Sequence, residues 1–319
     1  MADAVAPLGE WEDVDASMSD VSEALHRLRG SDRTATRTSV VTLVAVTRTA
    51  DELDRACATT ETLGGRHPGR TIVILAQEDE KPGLEARVRL LEGSSDGARV
   101  WSEDVTLTVK GPAARHLDSL IEPLTLPDLP LAVWYVATCP TPDDALCATA
   151  EVVVVDSKEL VDETGFADLV PVSHRRTLID LTWVRLTPWR LLLAGLFDGR
   201  VYRPYVTQVD WAGVKGKPGV RDLLGGWLVS RLELRDVHLE DDRHASMRLV
   251  AGDGEFTVER REEERLVRAS ARIKGGPGHE EVLALPDMTL AWSLAEALSD
   301  LEGDHVYEEA LEAAISFAR

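Results

Sequence analysis

The sequence predicts an α/β protein: an N-terminal α/β sandwich with a largely parallel sheet, then a smaller α+β domain with an antiparallel sheet. Three observations predict it. Residues 39–76 read as strand, helix and strand, a unit that favours parallel pairing. Residues 131–137 and 151–156 are almost continuously apolar, as strands covered on both faces are. Residues 266–274, the last of three successive strands, alternate apolar and polar positions instead, the mark of an antiparallel sheet with one wet face. A chain of 319 residues can bury two cores. The expected divisions are an acidic N-terminal segment (1–38), the α/β domain (39–172), and linking helices with the α+β domain (173–319). Residues 1–20 carry six acidic groups and no Lys or Arg, so the N-terminal segment is expected to be flexible.

The elements follow in order. Ser39–Thr47 is a buried strand, and residues 49–63 a helix with Thr49 and Glu52 as a capping box and Gly64-Gly65 as its stop. Strand 70–76 completes the unit. Glu85–Glu92 alternates, with Ala86, Val88 and Leu90 on one face and Arg87 and Arg89 on the other. Gly93–Gly97 is its turn, and Val105, Leu107 and Val109 carry the return strand. Pro112 opens a helix whose Leu117, Leu120, Ile121 and Leu124 share a face.

In the second half, Val220, Leu223, Leu224, Trp227 and Leu228 define a helix. Gly225 and Gly226 inside it cost about 1 kcal/mol each against Ala, which points to close backbone packing. Strands Ser246–Val250, Glu255–Arg261 and Leu266–Lys274 follow, with Gly252-Asp253-Gly254 as a turn. Two acidic helices, 288–300 and 304–317, end the chain.

The run Asp180–Asp198 stands apart. It places Trp183, Arg185, Trp189 and Arg190 on one short stretch. Thr187 fits an N-cap, Pro188 a first helical position and Gly199 a left-handed cap. Trp and Arg are enriched at interface hot spots, which makes these four the candidate partner-binding residues. The alternative is a buried amphipathic helix.

The net charge of −21 argues against nucleic acid and anionic membrane surfaces, whose phosphates it would repel. No apolar run approaches the roughly 20 residues of a membrane-spanning helix. The first residues, Met1–Pro7, show no signal-peptide pattern, so a cytoplasmic location is expected. Cys57, Cys139 and Cys147 are too few for a disulfide framework and too scattered for zinc.

Catalytic and cofactor motifs fail in context. Gly93-Ser94-Ser95-Asp96-Gly97 matches a nucleophile elbow in letters, but it joins two alternating strands. His238, Glu240, Asp241, Asp242 and His244 lack helical metal spacing and read as a solvated turn. Gly213–Gly219 breaks the phosphate-loop pattern at Trp211 and Pro218. No glycine fingerprint follows the first strand. No cofactor and no metal are expected. Arg66, His67 and Arg70, around Pro68-Gly69, are the remaining candidate anion-binding residues.

Four segments, in series, carry a resemblance. His67-Pro68-Gly69-Arg70 leads into Thr71–Leu75, and Leu126-Pro127-Asp128-Leu129-Pro130 into Leu131–Tyr135. Glu151–Ser157 and Asp180–Asp198 follow. Their order and spacing resemble the OpcA family of glucose-6-phosphate dehydrogenase assembly proteins over most of residues 40–315. The resemblance implies a non-catalytic protein of the oxidative pentose phosphate pathway. It would promote assembly or allosteric activation of glucose-6-phosphate dehydrogenase by direct binding. The rival reading is an enzyme or sensor that binds a sugar phosphate or nucleotide in the α/β domain.

Overall fold

A computed structural model describes residues 6–30, 40–63, 69–95, 98–160, 165–260 and 265–317. The chain divides into two compact units. One comprises Met1–Asp156, Pro171–Ile179 and Leu290–Glu302; the other comprises Ser157–Val170, Asp180–Thr289 and Gly303–Arg319. The sequence suggests one boundary between the two folded domains, near residue 172. Instead the chain changes unit after Asp156, Val170, Ile179, Thr289 and Glu302.

The first unit is built on β1 (Ala6–Asp13), α1 (Met18–Gly30), β2 (Thr42–Thr47), α2 (Ala50–Leu63), β3 (Arg70–Gln77), β4 (Gly83–Ser95) and β5 (Ala98–Lys110). It continues through α3 (Leu117–Ile121), β6 (Leu131–Tyr135), α4 (Ala145–Thr149) and β7 (Val152–Val155). After α5 (Gly165–Ser173), β8 (Thr177–Asp180) completes an eight-stranded sheet of order β1-β4-β5-β3-β2-β6-β7-β8. Strands β5, β3, β2, β6 and β7 run parallel. Every residue of β2, β6 and β7 is buried, which is why these strands read as unbroken apolar runs.

Residues 6–30 depart from the expected flexible segment. β1 pairs antiparallel with β4, and the register sets Glu10 opposite Arg89 and Glu12 opposite Arg87. The acidic residues thus face a basic strand. α1 buries Val21, Ala24 and Leu25, and Arg29 bonds Glu103. The hairpin of β4 and β5 is longer than the alternation indicates. Its last pair is Ser95 with Ala98; Asp96 and Gly97, within the expected turn, lie outside the described residues. The helix expected after Pro112 is broken into α3 flanked by short 3-10 turns, with Leu117, Ile121 and Leu124 still buried.

The second unit starts with α6 (Leu181–Leu196) and β9 (Val209–Gly216), then α7 (Val220–Leu232) and β10 (His238–Asp241). β11 (Ser246–Ala251), β12 (Gly254–Arg260), β13 (Leu266–Ile273) and β14 (Gly278–Ala284) follow. The six strands form one sheet of order β10-β9-β11-β12-β13-β14. All neighbours are antiparallel except β9 and β10, so the expected antiparallel sheet has one parallel edge. α6 covers one face, where Met247, Leu249, Phe256, Val258, Val267, Ala269 and Ala271 are buried. Phe197, just past α6, stacks at 4.4 Å on Phe256.

After this sheet, α8 (Leu290–Ser299) returns to the first unit and packs on α2 through its buried Leu294 and Leu298 face. α9 (His305–Ala314) packs on α7 in the second unit. The paired glycines explain how closely. A Cβ on Gly226 would lie 2.1 Å from the Ala310 carbonyl oxygen, so only glycine fits that crossing.

Candidate functional site

The Trp-rich run builds a site inside the second unit, and it does so through a different helix start from the one the sequence suggests. α6 begins seven residues before Pro188, capped by Asp180, whose Oδ1 accepts from the Thr182 amide at 2.8 Å. The same oxygen accepts from the Ser157 amide at 3.1 Å. Asp180 wins the cap because its carboxylate serves two amides at once, more than the Thr187 hydroxyl offers. Pro188 therefore lies in the helix interior and gives no N–H to the Val184 carbonyl. The helix ends at Phe197 in right-handed geometry, and Gly199 is not among the glycines with positive φ.

Around this helix the polar atoms interlock. Tyr307 Oη donates to Asp180 Oδ2 at 3.3 Å, and Trp183 Nε1 donates to Asp304 Oδ2 at 2.6 Å. Trp183 and Tyr307 rings lie 5.6 Å apart. The Arg190 guanidinium covers the Trp183 ring, donates to the Thr187 hydroxyl at 2.9 Å and to the Trp183 carbonyl at 3.3 Å. Burial pushes that guanidinium down to about 10, opposed by the carboxylate of Asp304. Its side chain is only 14% exposed.

The four candidate partner residues are thus brought together, but three of them face inward. Trp183 and Trp189 are buried, and Arg190 is largely covered. Arg185 is half-buried, with Nη2 3.2 Å from the Thr182 hydroxyl. The cluster ties α6 to α9. Leu191 and Ala194 face solvent on this helix, Leu191 at 66% exposure.

Of the candidate anion residues, Arg66 and His67 lie outside the described residues. Arg70 is buried and committed: Nε and Nη2 donate to Glu103 Oε2 at 2.9 and 2.7 Å, and Nη1 donates to the Leu124 carbonyl. The place where a nucleotide phosphate meets a doubly wound sheet is the first helix start after the central strand. Here the amides of Arg48 and Thr49 donate to Glu52 Oε2 at 2.7 and 3.3 Å. A carboxylate of the chain itself takes up these two amides, as a capping box does. Nearby, Glu78 sits between Arg48 and Arg115, whose hydrogen bond does most to lower its carboxyl below the usual range.

The sequence reading misses Trp211. It lies on β9, on the sheet face opposite α6, and is 41% exposed. Its ring rests across Gly213, where a Cβ would come within 2.5 Å of it. The His238 ring stacks alongside at 6.3 Å and 30°, and the Arg248 guanidinium is 5.9 Å from the indole centroid. The rest of this face is a ladder of cross-strand ion pairs: Lys215–Glu240, Arg248–Glu255 and Arg268–Glu280. The signal was present as Gly213 two residues after a Trp, an arrangement in which an absent side chain makes room for a flat ring. The acidic run from His238 to His244 belongs to the same edge. Glu240 pairs with Lys215, Asp241 with Arg221, and Asp242 accepts from the His244 amide.

Among the described residues, no helix is long and apolar enough to cross a membrane. Residues 60–170 match the family described as glucose-6-phosphate dehydrogenase subunit, N-terminal domain. Residues 176–311 match the corresponding C-terminal domain. A protein named OxPP cycle protein OpcA from Nostoc punctiforme is 29% identical over 189 residues, covering 56% of this chain and 40% of its own. The chain spans about 40% of the length of the curated relatives it matches. Among solved structures, the 3-ketoreductase KijD10 from Actinomadura kijaniata is 13% identical with a TM-score of 0.47, covering 86% of this chain and 95% of its own. Glucose-6-phosphate 1-dehydrogenase from Mycobacterium avium is 10% identical with a TM-score of 0.47, covering 87% of this chain and 90% of its own. The two family domains lie in order along one chain and meet within a few residues of β8, where α6 and its interlocked cluster begin. By that match this protein belongs to the OpcA family.

Proposed function

We propose that the protein is a non-catalytic factor that binds glucose-6-phosphate dehydrogenase directly and promotes its assembly or its active conformation. It would act in the cytoplasm, in the oxidative pentose phosphate pathway. The observation that carries the reading is Trp211, a large aromatic packed across Gly213 on an open sheet face of a strongly acidic chain. Trp is among the residue types on which protein interfaces concentrate binding energy. The family descriptions, which name a subunit of the dehydrogenase, support the same partner. Glu52, whose carboxylate takes up the amides at the start of α2, counts against the rival nucleotide reading of the α/β unit.

Such a factor needs no chemistry of its own. Binding one assembly or conformational state better than another shifts the dehydrogenase toward that state by the difference in affinity. The test is to titrate this protein into its cognate dehydrogenase while following association and steady-state kinetics together. A saturable change in KM or kcat that tracks complex formation is the expected result. Absence of association across micromolar concentrations would overturn the reading.

A further inference from the structure

We propose that the cleft beside Trp211 receives an arginine side chain of the protein partner; this rests on the reading of the protein as a direct binding factor. The cleft holds about 610 Å³ and lies between the start of β9 and the connection from α7 to β10. All of its lining belongs to the second unit.

Its chemistry is that of a site for a cation on an apolar stem. The half-buried Val209, Leu232, Leu234 and Leu239 are its aliphatic lining, and the exposed Trp211 adds an aromatic ring. Asp210, Glu233 and Asp236 put three exposed carboxylates on it, against the single guanidinium of Arg235. The backbone adds to the charge. Leu232 and Glu233 are the C-terminal end of α7, a helix of 13 residues, and the carbonyls there carry the negative end of its dipole. Glu233 holds φ 53° and ψ 35°, a left-handed conformation in which glycine would be unstrained.

Arginine fits better than lysine because its planar guanidinium stacks on indole and bonds a carboxylate in the same pose. The protein already contains this arrangement. Arg190 stacks at 3.5 Å on Trp183 with the Asp304 carboxylate beside both. At Trp211 the indole and the carboxylates are in place, and Arg248, 5.9 Å away, is paired with Glu255 instead.

The experiment uses the full chain and two probes. Affinity for the cognate dehydrogenase is measured for the native protein, Trp211→Ala and the double variant Glu233→Gln/Asp236→Asn. Each variant is expected to weaken binding at least about tenfold, as a hot-spot truncation does. The charge variant should also flatten the salt dependence. Trp211 is exposed and the two neutral replacements keep side-chain shape, so unchanged thermal melting serves as the folding control. In parallel, N-acetyl-arginine amide is titrated while the Trp211 indole N–H resonance is followed, with N-acetyl-glutamine amide as the control. A saturable shift with the arginine compound alone is expected, and its loss in the charge variant. Native-like affinity in both variants would overturn the proposal while leaving direct binding intact. No association of the native protein would overturn the functional reading. The resonance titration would then decide the cleft by itself, an absent or non-selective shift overturning it.

Discussion

The guanidinium carbon of Arg190 lies 3.5 Å from the centroid of the Trp183 ring, seven residues earlier on the same helix. Helical geometry brings residues seven apart onto one face, two turns distant. The long Arg side chain folds back across those turns, bonds the Thr187 hydroxyl and reaches the Trp183 carbonyl. Arg190→Ala removes a largely buried cation–π contact and two hydrogen bonds. It is expected to cost about 3 kcal/mol in urea unfolding. Arg190→Lys should recover only part, since an ammonium lacks the planar fork. A loss below about 0.5 kcal/mol, the usual range for surface sites, would show that the stack is incidental.

The crossing of α7 and α9 depends on one hydrogen atom. Gly226→Ala is expected to lower stability by about 3 kcal/mol, because the added carbon meets the backbone of α9 and neither helix can yield cheaply. Gly225→Ala is the matched control. There the nearest atoms are the side-chain ends of Leu239 and Phe317 at 3.0 and 3.1 Å, which can move. Similar urea midpoints for the two variants would contradict this account of the packing.

Glu52 is expected to matter to the α2 start rather than to any ligand. Glu52→Ala should cost about 1 kcal/mol by leaving the Arg48 and Thr49 amides without their carboxylate. Glu52→Gln should retain most of it. Chemical denaturation of the three proteins decides the point, and equal midpoints would refute it.

Burial pushes the Cys147 thiol up to about 11, with Asp144 adding to the effect. At pH 8 roughly one molecule in a thousand would then carry the thiolate, the form that alkylates. Iodoacetamide labelling of the native protein, read by mass spectrometry, should be slow at Cys147 at pH 8 and rise steeply toward pH 11. The linkage has a definite sign. A thiol whose folded value lies above its unfolded one stabilises below about pH 9, and that stabilisation disappears as pH climbs to 11. The melting temperature should fall across that window, less so in Cys147→Ala.

Much of the sheet could be read from residue types because apolar continuity and alternation report burial directly. β2, β6 and β7 are examples of the first, β13 of the second. What escaped had no such contrast. β14 is exposed along its whole length, so its pairing with β13 leaves no apolar signature. β1 looks like an acidic tail until Arg87 and Arg89 are set opposite it, a relation between segments nearly 80 residues apart. The start of α6 was misplaced because proline is a strong local signal for a first turn. The tertiary bonds that hold Asp180 as the cap come from Ser157 and Tyr307. The Trp and Arg types in that run do mark a cluster, but burial turns it inward. The setting of Trp211 comes from Gly213, His238 and Arg248 on three strands, a relation no local pattern records.

The two units trade the chain five times, and this sets an order on biosynthesis. When the ribosome has delivered residue 179, the first unit has its eight strands but not α8, so the α2 face that α8 covers stays bare. About 110 further residues, the bulk of the second unit, must emerge before α8 does. At the speeds typical of synthesis that interval is on the order of 10 seconds. Neither unit is complete when the other has to begin. The nascent protein thus spends that interval with apolar surface uncovered, a natural point of engagement for a holding chaperone.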